Sequence, residues 1–188
     1  MSVVIHEVSH GYAASYLGDQ TARYQGRLTL NPLNHLDPLG SFLVPAFSYM
    51  MGGFLIGWAK PVPYNPYNLR PGRWSEAIVA LAGPLSNISI ALIFTVLLRL
   101  GVGSPAFLDI TAVIVFINLI LAFFNLMPIP PLDGSKLLFA LFPERFSQIR
   151  SFFERYGLIL LILFVFFIWQ LVFPLVVWVF QLLTGVSI

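Results

Sequence analysis

The chain contains no cysteine. Neither a disulfide framework nor a thiolate metal site is open to it, so any metal it holds must be met by nitrogen and oxygen. Charge is scarce as well. Only 10% of the 188 residues are Asp, Glu, Lys or Arg, against about 25% in soluble domains. That leaves too little polar surface to keep a folded chain in water, and a soluble globular protein is excluded. The net charge of +2 singles out no partner, and no nucleic acid is expected. No basic stretch precedes the apolar amino end, so no secretory signal is expected. There is also no internal repeat and no low-complexity linker. What is abundant is apolar: 58% of residues are hydrophobic. With this length, that predicts one compact integral-membrane domain over 1–188. A motif-bearing core covers 1–142, followed by an amphipathic segment and a last span over 143–188.

Residues 1–17 read as helix, with Gly18 in "YLGD" as its stop. Residues 20–31 alternate in polarity and are rich in Thr, Tyr and Leu, which predicts a short β-hairpin or edge strand near 21–30. "NPLNHLDPLG" (31–40) is a loop by its Asn, Pro and Gly. Residues 41–59 are apolar enough to span but are broken by Pro45, Gly52, Gly53 and Gly57. Residues 60–73 form a proline-rich polar loop. Spans are expected at 74–100 and 106–127. "PIPPLDG" (128–134) cannot be regular helix, since its three prolines lack amide donors. Residues 135–156 look amphipathic, with Lys136, Glu144, Arg145, Arg150, Glu154 and Arg155. The stretch 157–183 exceeds the ~20 residues a span needs, and a bend is expected near Pro174.

Basic residues set the orientation. If 41–59 spans, then Arg23, Arg27 and Arg99 oppose all the other basic residues. If it dips in and returns, only Arg99 is left outside. The second scheme is the more asymmetric, and broken sequence suits a re-entrant segment buried against protein. The expected fold is therefore an all-α polytopic membrane protein. It is a helical bundle of about four transmembrane spans, plus a re-entrant segment and the short β element.

"HEVSH" at 6–10 carries the chemistry. Residues at i and i+4 share one helix face, so His6 and His10 can chelate one Zn²⁺. Glu7 beside them can take a proton from a water that the metal acidifies. A chance match with structural histidines is the plain alternative, but ionisable groups inside membrane helices are rare and usually functional. A catalytic zinc needs a third protein ligand and an open position. His35 and the acids are the candidates. Asp133 is the best placed, after the proline-broken stretch and beside Gly134, though it could simply cap the helix at 135. Asp37 and Asp109 read as loop and span-end residues. Asn87 and Asn125 are amides in apolar spans. Each could bond between helices or donate to a substrate carbonyl or oxyanion.

"HEVSHGYAASYLGD", "GRLTLNPLNHLDPLGS", "GWAKPVP", "ALAGPLSN" and "FNLMPIPPLDG" together resemble the site-2 protease family of intramembrane zinc metalloproteases, in the compact prokaryotic branch without PDZ or CBS domains. The resemblance covers residues 1 to about 142. It implies one Zn²⁺ per chain held by His6, His10 and Asp133, with Glu7 catalytic and Asn125 holding substrate or oxyanion. It also implies a supporting role for Asn87, and His35 in its loop is expected to support the site rather than to bind the metal. Only "MSVVI" precedes His6, about 7.5 Å of helix. That is less than the family usually has, and a native start further upstream would account for it.

The expected activity is hydrolysis of a peptide bond in or near a transmembrane segment of another membrane protein. The site would lie near the cytoplasmic side of a prokaryotic cell membrane. Two other readings compete with it. A zinc transporter would show repeated halves and a polar path, and neither is present. A non-catalytic scaffold for transmembrane helices would have no need of Glu7.

Overall fold

The computed structural model describes residues 1–52, 57–142 and 147–187. Gly53, Glu144 and Arg145, which the sequence reading uses, lie outside the described residues. The fold is all-helical, and eight α-helices are labelled here in chain order. They are α1 (Ser2–Tyr16), α2 (Thr21–Tyr24), α3 (Val44–Gly52), α4 (Ser75–Arg99), α5 (Pro105–Asn125), α6 (Gly134–Leu141), α7 (Ser147–Leu163) and α8 (Trp169–Thr184). Among the described residues three helical stretches are long and apolar enough to cross a membrane: Ser75–Arg99, Pro105–Asn125 and Gln148–Thr184. That is one fewer than the four expected. With 15 residues, α1 is about 22 Å long, short of a ~30 Å hydrocarbon core.

Local chemistry sets the helix ends. Gly18 closes α1 with φ +114°, a left-handed conformation that a Cβ disfavours. Ser104 caps α5 by accepting from the Phe107 amide (3.3 Å), and Pro105 takes the first helical position, where no amide is needed. At the far end Arg99 donates to the carbonyls of Leu183 (2.7 Å) and Leu182 (2.9 Å). A cation thereby sits where the α8 dipole ends negative.

One expectation is corrected. The hairpin near 21–30 does not form: the segment opens with the turn of α2, has no regular structure at 27–30, and no strand occurs among the described residues. Alternating polarity favours extended chain, but a strand needs a partner, and here the Arg27 amide turns back to the Ala22 carbonyl (2.9 Å). In the last span Pro174 sits inside α8, and a π-turn occupies Phe164–Ile168, where the Trp169 amide reaches back to the Phe164 carbonyl. This turn shifts the helix face, and below it Val176 and Phe180 point inward.

The core lies around α4, which packs against α1, α5, α6 and α8. One cluster joins Ala91 of α4, Val115 and Leu119 of α5, and Val176 and Phe180 of α8. The other joins Ala14 and Leu17 to Val79 and Leu69. Lipid is as apolar as these side chains, so close packing and interhelical hydrogen bonds hold the spans together rather than water exclusion. Leu171 and Trp178 face outward, as lipid-facing residues do.

The loops are tied down as well. Trp58 donates its amide to the Gly40 carbonyl at 3.0 Å, so the two ends of the 41–57 segment lie side by side. Arg70 bonds to the Leu17 carbonyl (2.8 Å). Asp19, fully buried, accepts from the Thr21 hydroxyl (2.6 Å) and amide (3.2 Å), the Asn65 amide (2.7 Å) and the Asn68 side chain (2.9 Å). Burial pushes its pKa up, but the bonds from Thr21, Asn68 and Asn65 outweigh this and hold it below the ordinary 3.8. A depressed folded pKa contributes stability that is present above the unfolded value and is lost as pH falls through the folded one. Asp19→Ala is therefore expected to cost about 1–3 kcal/mol in thermal unfolding in detergent at neutral pH. The gap from wild type should narrow on acidification. A gap independent of pH would show that the carboxylate charge is not what ties α1 to the 57–73 loop.

Candidate metal centre

The helix α1 carries His6 and His10 one turn apart on its buried face. Their Nε2 atoms are 3.1 Å apart. Asp133 Oδ2 lies 3.2 Å from His6 Nε2 and 3.3 Å from His10 Nε2. Asp133 stands at the N-cap position of α6 but makes no capping hydrogen bond; its carboxylate turns to the imidazoles instead.

The remaining polar atoms determine what these three atoms are. His10 Nδ1 is 2.7 Å from the Val79 carbonyl, which can only accept, so Nδ1–H donates and neutral Nε2 offers a lone pair. His6 Nδ1 is 2.6 Å from Asn87 Oδ1. The carboxamide orientation is fixed by its other end, where Asn87 Nδ2 donates to Asn118 Oδ1 at 2.8 Å. Asn118 in turn donates to Ser2 Oγ (2.9 Å) and to the Ile114 carbonyl (2.8 Å). Three lone-pair donors thus converge with no proton among them, and Asp133 Oδ2 is buried without a hydrogen-bond partner. Such a cluster repels itself unless a cation neutralises it. Its edges of 3.1–3.3 Å match the edge of about 3.3 Å of a tetrahedron with metal–ligand bonds of about 2.05 Å, the zinc value. The residues present fit zinc.

Access for the imidazoles depends on α4. A Cβ at Gly83 would lie 2.6 Å from His6 Nε2 and closer still to His10 Nε2, so only glycine fits there. Pro84, next along, withholds the amide that would bond the Ala80 carbonyl, which loosens the helix at the turn where His10 docks. Gly83 is eight residues into α4, so the cluster sits about 12 Å from that helix's start.

Glu7 points to another side of α1. Its Oε2 accepts from the Val62 amide at 2.9 Å. Asn125, the last residue of α5, donates to the Leu121 carbonyl (2.9 Å) and makes no contact with the cluster among the described residues. His35 is buried in the 31–40 loop, bonded through Nε2 to the Thr29 carbonyl (2.8 Å), and is not one of the three. Asp37 accepts the amides of Leu39 (2.9 Å) and Gly40 (2.7 Å), and Asp109 is exposed. Tyr64, on the loop beyond Val62, has its pKa pushed up to about 12, first by burial and then by the carboxylates of Glu76 and Asp133. At neutral pH it stays protonated.

The sequence reading missed Asn118, although its signal was present: a carboxamide in the middle of an apolar span is costly unless bonded. It also missed the Val79 carbonyl and the Val62 amide, which as backbone groups leave no mark in residue identity. Asn87→Ala is expected to lower zinc affinity about 10–100-fold in a chelator competition, because His6 loses the acceptor that holds its tautomer. Wild-type affinity would show that Asn87 does not hold that ring.

The pattern of Peptidase family M50 matches residues 103–169. The chain is 38% identical over 175 residues to a Bacillus subtilis protein named "Putative zinc metalloprotease YwhC", covering 88% of this chain and 77% of that one. It is 32% identical over 145 residues to the Mycolicibacterium smegmatis protein named "Putative zinc metalloprotease Rip2" (71% of this chain, 51% of that one). The chain thus spans about half the length of that relative. A Methanocaldococcus jannaschii protein, "Putative zinc metalloprotease MJ0611", is 43% identical over 60 residues, covering 32% of this chain and 31% of that one. No solved structure matches the chain.

Proposed function

Since this chain belongs to peptidase family M50, the site-2 proteases, we propose that it cuts a peptide bond in or near a transmembrane segment of another membrane protein. In this proposal His6, His10 and Asp133 hold one zinc ion and Glu7 is the general base. By family it is a zinc metalloendopeptidase, carried on apolar helices of membrane-crossing length. The observation that carries the reading is the meeting of three lone-pair atoms whose residues' other donors already have partners.

Zinc bound there supplies Lewis acidity, which lowers the pKa of water to about 7 and polarises the scissile carbonyl. The chain's own residues do the rest. Val79 and Asn87 hold both imidazoles in the ligating tautomer. Glu7 takes a proton from the attacking water and passes it to the leaving amine. Its Oε2 is held by the Val62 amide, which leaves Oε1 for that exchange. Asn125 is assigned to the substrate backbone, which it would meet by releasing the Leu121 carbonyl. The low-dielectric surroundings strengthen each of these charges.

A transmembrane substrate has its peptide groups locked in helix. It must unwind locally, and every freed group then needs a partner. The chain after α2 offers such partners: among the described residues, the amides and carbonyls of Leu28 and Leu30 have none. A substrate strand added along this edge would pair with alternate residues.

The segment 41–59 is read as re-entrant, on the strength of its adjoining ends. Among the described residues, the basic side chains other than Arg99 then gather at the end of the bundle nearer the metal cluster. By the positive-inside rule that end faces the cytoplasm.

The test is purification in detergent, metal analysis, and incubation with a panel of transmembrane peptides. Cleavage within an apolar segment, abolished by a chelator and restored by zinc, is expected. Metal-loaded protein that binds such peptides but cuts none would favour a scaffold. Zinc flux in liposomes without peptidase activity would favour transport.

A further inference from the structure

Two conspicuous sequence motifs, "GRLTLN" and "AKPVP", have no part in the metal cluster. The structure joins them. Buried Arg27 donates through Nη2 to the carbonyls of Lys60 (2.9 Å) and Pro61 (3.3 Å). The Lys60 amide donates to the His35 carbonyl (2.8 Å), and the His35 ring donates to the Thr29 carbonyl. Three separate stretches of chain are thereby cross-tied at Lys60–Pro61.

After Pro61 the chain continues with Val62 and then Pro63. Neither proline has an amide, so Val62 carries the one backbone donor between Lys60 and Tyr64. The prolines fix their own φ near −65° and hold the residue before each extended. Pro-Val-Pro is therefore a stiff spacer with a single donor. That donor points at Glu7 Oε2 (2.9 Å). The spacer lies hard against α1: a Cβ at Gly11 would meet Val62 Cγ1 at 2.8 Å and Leu28 Cδ2 at 2.5 Å. Gly11 is one turn beyond Glu7, so both arms of the clamp seat on the helix beside the carboxylate.

We propose that this clamp positions the general base. Arg27 acts as a positioning residue through the Lys60–Val62 backbone, and the Val62 amide holds one oxygen of Glu7 so that the other faces the reacting water. The role rests on the reading of Glu7 as the base. It calls for a long cationic side chain, because one nitrogen, Nη2, bridges two successive carbonyls. A lysine ammonium can keep part of that grip.

The test compares wild type, Arg27→Ala, Arg27→Lys, Val62→Pro and Glu7→Gln for zinc content, kcat and KM on one transmembrane peptide. Arg27→Ala and Val62→Pro are expected to keep their zinc and a KM within about threefold of wild type, while kcat falls about 10–100-fold, the usual scale for a group supporting a catalytic residue. Arg27→Lys should recover part of the loss. Val62→Pro removes the donor and leaves the Arg27 grip intact, so it stands in if Arg27→Ala does not fold. Either variant at wild-type kcat overturns the proposal. So does loss of zinc in both, which would make the clamp a support of the fold rather than of Glu7. If Glu7→Gln itself cleaves normally, the assignment of the base fails; if Glu7→Gln is dead while both clamp variants run at full rate, only the positioning role fails.

Discussion

Glu7→Gln protein is expected to fold, to load zinc like wild type, and to turn over transmembrane peptides about 10²–10⁴-fold more slowly. Glutamine keeps the volume and an oxygen that can still accept from the Val62 amide, so the loop and α1 stay in place. What it loses is the capacity to take up a proton. The zinc site is untouched because Glu7 is not among the three atoms that converge. The loss corresponds to about 3–5 kcal/mol of transition-state stabilisation, and it should fall on kcat with little change in KM, since no substrate contact is removed. Wild-type turnover by fully zinc-loaded Glu7→Gln would end the assignment of Glu7 as base.

Asp133→Ala is expected to abolish both metal retention and activity. Removing the carboxylate leaves two neutral imidazoles 3.1 Å apart at Nε2 and takes away the cluster's negative charge. The affinity loss should exceed the 10–100-fold typical of outer supporting groups. The thermodynamic readout is independent of any substrate. A ligand at about a hundred times its Kd stabilises the folded state by about 2.7 kcal/mol, so wild-type protein stripped by a chelator should regain unfolding temperature when zinc is added back. Asp133→Ala should show no such shift, and Asp133→Asn, which keeps the shape without the charge, should fall between. Equimolar zinc surviving purification of Asp133→Ala would remove this carboxylate from the site and return His35 and the other acids to contention.

Membrane character, the helical class and the pairing of His6 with His10 were legible in the sequence because each is a local property. Composition states how little water the surface can face, and a spacing of four on a helix places two imidazoles together wherever the helix sits. The membership of Asp133 was legible only as the best of several candidates. Its alternative role as a helix cap has the same local sequence, and only the packing of α6 against α4 turns the carboxylate toward α1.

Elsewhere local pattern misled. The alternation in "ARYQGRLTL" suggests a strand, yet its first residues turn in α2 and no strand forms among the described residues.

By itself, then, the sequence determined the solvent this protein needs, the helices it forms and the donor types it can offer a metal. Tertiary structure alone decided which carboxylate joins the imidazoles, which carbonyl and carboxamide set their tautomers, and which backbone amide holds Glu7. The physical reason is that hydrophobic periodicity and turn chemistry act over a few residues. A metal site or a clamp is made by backbone groups and side chains from distant segments, and their meeting depends on how α1, α4, α6 and the proline loop pack.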